Sequence, residues 1–303
     1  MSLWTKTKGI GGKLQDPEDF VVHEILSVKF LRKYRISRKI EKPGKYNLIL
    51  VRKRNVTTKS AIERLAAALR IPEKNIGYAG LKDKFSVSHQ YLTVKGTIKD
   101  VDINDVAIVE ARKTDKFLSR GDLIGNKFKI TLHGCTGDPS ATIADLEKRG
   151  IPNFFGPQRF GKYGNNHEIG LSIIKRNYSK RVPKDVLKFY IHAYQSWIFN
   201  NALSAYAKKN KKPYFRKVRI PGYKMKLRNN EIENEMKRLL EKDRVRTEDF
   251  RISELRMSVI GAERAAFIKT KIKYEKIGDK VVLNFELPKG SYATVLIREI
   301  SKS

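Results

Sequence analysis

A chain of 303 residues with 40% hydrophobic and 10% aromatic content can bury a sizeable core, as one large domain or two, and excludes a disordered chain. Its 64 Lys and Arg against 32 Asp and Glu leave a net charge of +32, which calls for a polyanionic partner, because a heat-adapted surface alone would raise both signs together. The single Cys135 excludes an internal disulfide framework and fits a reducing compartment, and His23, His89, His133, His167 and His192 show no ligand spacing, so no metal is expected.

No apolar run approaches a membrane span; 46–51 is among the longest. Residues 1–15 lack an apolar core region, so no secretory signal is expected and the predicted compartment is cytoplasmic. Basic residues are spread along the chain and form no amphipathic Lys-rich helix, which favours nucleic acid over membrane.

In chain order, Asp16, Pro17, Glu18 and Asp19 make a turn and 20–30 alternates as a strand. Residues 32–45 are basic and loop-like, and 46–52 form a second strand. Thr57 or Thr58 can cap a helix to Arg70, with Ile62, Leu65 and Leu69 on one face and Pro72 as the stop. The stretch 75–94 reads as strand, sharp turn at Gly80, and strand, with Asp83 between Lys82 and Lys84 in the turn. Cations on both sides favour the ionised carboxylate and predict a low pKa. By itself such an Asp is a nucleophile, a ligand or a surface turn residue, the last being the commonest.

Further strands are predicted over 101–111 and 127–132, then a helix over 140–149 ended by Gly150. A Gly- and aromatic-rich segment, 152–164, precedes the longest helical pattern, 184–209, whose apolar stripe includes Ile191, Tyr194, Trp197 and Ile198. Trp197 reads there as core. A charged helix over 229–243 follows, then strands over 266–274, 281–286 and 293–300. A helical block between β-rich ends predicts an α+β fold with a mostly antiparallel sheet, which the C-terminal strands return to complete. The predicted division is 1–151, an insertion at 152–257, and a returning segment at 258–303.

Five segments occur in order: PEDFVVHE (17–24), GYAGLKDKFSVSHQ (77–90), GNKFKITL (125–132), NFFGPQRFG (153–161) and LPKGSYATVLIRE (287–299). Together they resemble the TruD family of RNA pseudouridine synthases, as a short, archaeal-type member. QSWIFNNAL (195–203) fits the family's helical insertion, and the likeness covers 17–299. The resemblance implies a V-shaped molecule with a basic cleft, and isomerisation of one uridine, position 13 of tRNA being the best-known target. It places the nucleophile on Asp83. It also places Phe128 as the stacking residue for a flipped-out base, Phe20 and Tyr292 in the uridine pocket, and Asn126 against substrate or the catalytic loop. Lys82 would favour the ionised Asp83. Lys13, one residue further from the PEDF turn than in the bacterial pattern, is either an active-site cation or a solvated lysine.

On their residues alone, Phe20 and Phe128 read as ordinary strand core. The isomerisation involves no redox change, so no cofactor is expected. The carboxylate would attack sugar C1′ or abstract a sugar proton to give a glycal, and the sequence leaves both routes open. The expected partner is tRNA, with other RNA left open; no membrane and no metal are expected, and a monomer is. Two other readings stand beside this one: an RNA binder on the same fold without turnover, and a basic DNA-binding protein, for which no DNA-reading module is visible.

Overall fold

The computed structural model describes residues 3–27, 30, 44–99 and 101–302, whose contacts divide the chain into two compact units. Most of the basic stretch 32–45, and residues 28 and 29 of the first predicted strand, lie outside the described residues.

One unit comprises Ile10–Asp138 and Thr270–Gly290. Its strands are β1 (Gly11–Lys13), β2 (Phe20–Leu26), β3 (Tyr46–Arg54), β4 (Ile76–Tyr78), β5 (Val87–Val94), β6 (Val106–Thr114), β7 (Leu123–Cys135), β8 (Ile272–Ile277) and β9 (Lys280–Pro288). They form one sheet in the order β8-β9-β7-β2-β5-β3-β6, with β1 added to β7 and β4 to β5. The β2–β5 pair is parallel and the other pairs are antiparallel. The sheet is thus mostly antiparallel, and the C-terminal hairpin β8–β9 completes it on β7, as expected.

Helix α1 (Thr58–Leu69) begins where the sequence places a cap: Thr57 Oγ1 accepts the Ser60 N–H at 3.1 Å, and Arg70 closes the helix in the left-handed region. Ile62, Leu65 and Leu69 pack against Ile49, Val51, Leu92 and Val94 of β3 and β5. Each such side chain contributes about 1.5–3 kcal/mol relative to exposure. The opposite face has a second buried cluster, in which Leu48 packs with Leu26, Phe30, Ala79, Leu118 and Leu123. There the register sets His23 beside His89, their rings stacked 4.1 Å apart and 3° from parallel, which spacing along the chain does not reveal.

The other unit comprises Met1–Gly9, Pro139–Lys269 and Ser291–Ser303. It contains α2 (Ser140–Arg149), α3 (Asn166–Ile174), α4 (Lys184–Lys209), α5 (Glu231–Lys242) and α6 (Ala293–Ser301). Short pairs join Lys217–Ile220 to Ala262–Ala265 and Ile151–Pro152 to Phe267–Ile268. These pairings carry 258–269 with the helices, so the seams fall after residues 9, 138, 269 and 290, where the sequence reading put them at 151/152 and 257/258.

Two predicted strands take other forms. Residues 266–274 split into Phe267–Ile268 in the helical unit and β8 in the sheet. Residues 293–300 are helical. The β-branched content of that stretch suggests a strand, but Ala293, Leu296 and Ile300 bury one helical face, and buried Glu299 accepts Trp4 N–H at 2.8 Å and Thr5 N–H at 3.0 Å. No helix among the described residues is long and apolar enough to cross a membrane.

Candidate active site

Strands β4 and β5 are joined by a loop that presents Asp83 between Leu81 and Phe85, apolar side chains 67% and 45% exposed. The Asp83 carbonyl is fixed twice, by Lys53 Nζ at 3.2 Å and Ser86 Oγ at 3.1 Å. Its carboxylate makes no hydrogen bond or ion pair among the described residues. Crowding by protein pushes the Asp83 pKa above the ordinary Asp value, while the ammonium groups of Lys53 and Lys82 pull it back. The sequence predicted the opposite direction and credited Lys84. That residue is exposed and is not among the cations acting on Asp83; desolvation outweighs the neighbours.

Lys53 is the residue the sequence reading missed. Its side chain is fully buried, donating to Val56 O at 2.5 Å as well as to the Asp83 carbonyl, and burial lowers its pKa to about 8. The signal lay in strand alternation: in β3, Ile49, Val51 and Lys53 share the core face, so a lysine stands where an apolar residue belongs.

A buried polar network holds the loop in shape. Lys82 Nζ donates to Glu24 Oε1 at 2.6 Å, with side chains 5% and 0% exposed. Glu24 also accepts the Tyr91 N–H at 3.0 Å. Gln90 Nε2 donates to the Gly80 carbonyl at 2.6 Å, Thr58 Oγ1 bridges to Gln90 Oε1 at 3.0 Å, and the Lys82 N–H donates to Thr58 Oγ1 at 2.8 Å. Gly80 leaves room for this packing: a Cβ there would lie 2.8 Å from Leu123 Cδ2 and 3.3 Å from both Glu24 Oε1 and Lys82 Nζ. Lys82 is therefore committed to Glu24, and its effect on Asp83 is secondary to that brace.

The register extends this arrangement across one sheet face. Lys53 pairs with Ser88, Ser88 with Val22, Val22 with Phe128, and Phe128 with Phe285. On the same face Glu24 stands opposite Asn126, whose Oδ1 is buried without a partner. Phe20 and Phe128 are buried, their rings edge-on at 5.9 Å, and Phe128 stacks on Phe285 at 5.3 Å. Asp83, Lys82, Phe20, Asn126 and Phe128 thus belong to one unit and one sheet face with its covering loop. Lys13 is exposed at the end of β1, opposite His133 near the far end of β7 from Asn126. Tyr292 belongs to the helical unit, where it precedes α6 and meets the Phe155 ring at 6.1 Å.

The segment NFFGPQRFG is a cradle within the helical unit. Asn200 of α4 accepts the Phe155 N–H at 2.8 Å and donates to the Phe155 carbonyl at 2.9 Å. Arg264 donates to the Asn153 carbonyl and Oδ1, each at 2.8 Å, and its guanidinium lies 3.9 Å from the Phe155 ring centroid. A Cβ on Gly156 would meet Tyr292 Cδ1 at 2.6 Å. Trp197, predicted as core, is half-buried and lines a cavity beside this segment.

Among the described residues no group of three or more His, Cys, Asp or Glu is placed to hold a metal ion. The model of the family tRNA pseudouridine synthase D (TruD) matches residues 1–182 and 207–300. A tRNA pseudouridine synthase D of Anaeromyxobacter sp. (strain Fw109-5) is 30% identical, covering 97% of this chain and 94% of that protein. One of Wolinella succinogenes is 31% identical over 95% of this chain and 93% of that protein. The crystal structure of a candidate tRNA pseudouridine synthase D (TruD) from Methanosarcina mazei superposes with a TM-score of 0.72 at 23% identity, covering 100% of this chain and 96% of that one.

Proposed function

The chain belongs to the TruD family of tRNA pseudouridine synthases, and from that premise we propose that it isomerises a uridine of tRNA to pseudouridine with Asp83 as the nucleophile. The C1′–N1 bond breaks, a C1′–C5 bond forms, the C5 hydrogen leaves as a proton and N1 takes one up. Atoms and electrons balance without a redox partner.

The observation that carries the assignment of Asp83 is an unpaired carboxylate on a loop whose backbone is fixed from three sides. A carboxylate tied in an ion pair would have to break that pair before reaching a sugar carbon or proton. Asp83 does not. Lys53 and Lys82 favour the ionised form that either route requires, and the residue is exposed on its loop, where a sugar can reach it.

We assign the chemistry to the sheet unit and read as the insertion the part of the helical unit that falls within 152–257. Leu81 and Phe85 offer apolar surface to an extruded base. Phe20 and Phe128 form an apolar wall, and Asn126 has an acceptor available for a uracil N–H. Lys13 and Tyr292 remain candidates by family position alone. The target by resemblance is position 13 of tRNA.

The test is tritium release from unmodified tRNA labelled at uracil C5, since forming the new bond must expel that hydrogen. Release is expected from the wild type and lost in Asp83→Asn, which keeps size and removes charge. Release by Asp83→Asn at the wild-type rate would remove Asp83 from the mechanism.

A further inference from the structure

The helical unit contains a cavity of about 430 Å³ that the chemistry at Asp83 leaves unused. Trp197 of α4 and His167 of α3 line it with rings 5.3 Å apart and 10° from parallel, and Phe160 meets His167 edge-on at 5.9 Å. Polar side chains stand beside these rings in the lining. Asn201 donates from Nδ2 to the Trp197 carbonyl at 2.8 Å, which leaves its side-chain oxygen unbonded among the described residues. Ser204 follows on the same helix, and Lys162 stands on the lining loop.

Three further features point to what would enter. Tyr163, next to Lys162, is 82% exposed, the most exposed large hydrophobic side chain among the described residues. The Lys162 ammonium sits 5.5 Å from its ring centroid. Along α4, residues 197, 201, 204 and 208 recur at helical spacing, so Lys208 lies one turn beyond Ser204 on the cavity-lining stripe. Neither Lys162 nor Lys208 is in an ion pair among the described residues. Flat rings, an open amide edge and two uncommitted cations are the groups that hold an unpaired base and its flanking phosphates.

We propose that this cavity binds one unpaired nucleobase of the RNA, distinct from the reacting uridine. The base lies against the Trp197–His167 rings with Tyr163 folding over it, Asn201 meets its hydrogen-bonding edge, and Lys162 and Lys208 take the adjoining phosphates. The proposal rests on the RNA-modifying reading above.

The test uses the full chain and unmodified tRNA. Tyr163→Ala and Asn201→Ala should each raise Kd and KM about tenfold with kcat and melting temperature unchanged, and with the salt dependence of binding preserved. Lys162→Ala and Lys208→Ala should each lower the slope of log Kd against log salt by about one. As an independent readout, tRNA carrying 4-thiouridine should crosslink on irradiation to peptides from 160–167 or 197–208. Unchanged Kd and KM in all four variants, with no crosslink there and active wild type, would overturn the site alone. A wild type that binds tRNA but releases no tritium would overturn the reading beneath it, and the site with it.

Discussion

Replacing Lys53 with methionine should separate stability from catalysis. The ammonium is fully buried and its pKa falls from 10.5 to about 8. At 1.36 kcal/mol per pKa unit, burying the charge costs roughly 3 kcal/mol below pH 8. Lys53→Met removes that cost and leaves the Val56 carbonyl without its donor, a loss of about 1–3 kcal/mol, while the Asp83 carbonyl keeps Ser86. The net change in folding free energy should therefore lie between about zero and 2 kcal/mol in favour of the variant. The folded chain binds this proton more weakly than the unfolded chain, so the cost is present in full below about pH 8. It is relieved as pH climbs from there towards 10.5, and the advantage of the variant should shrink over that window. Activity should move the other way. Asp83 loses a cation that lowers its pKa, so the acid limb of kcat/KM shifts to higher pH. An alkaline limb near pH 8, expected in the wild type from deprotonation of Lys53, should vanish in the variant. Tritium release across pH 5 to 9.5, with urea melts at the same pH values, reads both effects. An alkaline limb that persists in Lys53→Met, or a loss of stability on the scale of a broken buried ion pair, would refute this account of Lys53.

Glu24→Gln should lower stability by about 3–5 kcal/mol in urea unfolding, because it leaves the Lys82 ammonium buried without its counter-charge; a change under 1 kcal/mol would mean the Asp83 loop is held by something else. Gly156→Ala should cost about 1–3 kcal/mol, since its Cβ would meet Gln158 Oε1 at 2.5 Å and Tyr292 Cδ1 at 2.6 Å. A differential-scanning melt within a degree of wild type would show that the cradle yields. With a charge of +32, tRNA affinity should fall at least about a hundredfold between 50 and 200 mM salt, and a flat titration would count against phosphate-dominated binding.

What was legible in the sequence was local chemistry with a fixed period. Thr57 at the start of α1, Gly150 at the end of α2 and the stripe of α4 stand where spacing put them. The return of the C-terminal hairpin to the first sheet followed from element order. Registers between strands were not legible, and the site depends on them. Lys84 is adjacent to Asp83 in sequence but plays no part in its electrostatics, whereas Lys53, thirty residues away, reaches its carbonyl. Helix α6 misled through its β-branched content, which tertiary burial of Leu296, Glu299 and Ile300 overrode. Trp197 sits at the margin of its apolar stripe, where a helical wheel cannot tell core from cavity wall.

The placement of β9 constrains how the protein emerges from the ribosome. β7 is thirteen residues long, and one of its sides is occupied by β9 from Gly125 to Leu132. The residues of β9 are made only after Pro139–Lys269 have been translated. At about 5–20 residues per second, that edge stays without its final partner for on the order of ten seconds. An open edge of that length invites pairing with other chains. Along the covering interval β7 carries Lys127 and Lys129, both exposed, which discourage such pairing until the native hairpin arrives.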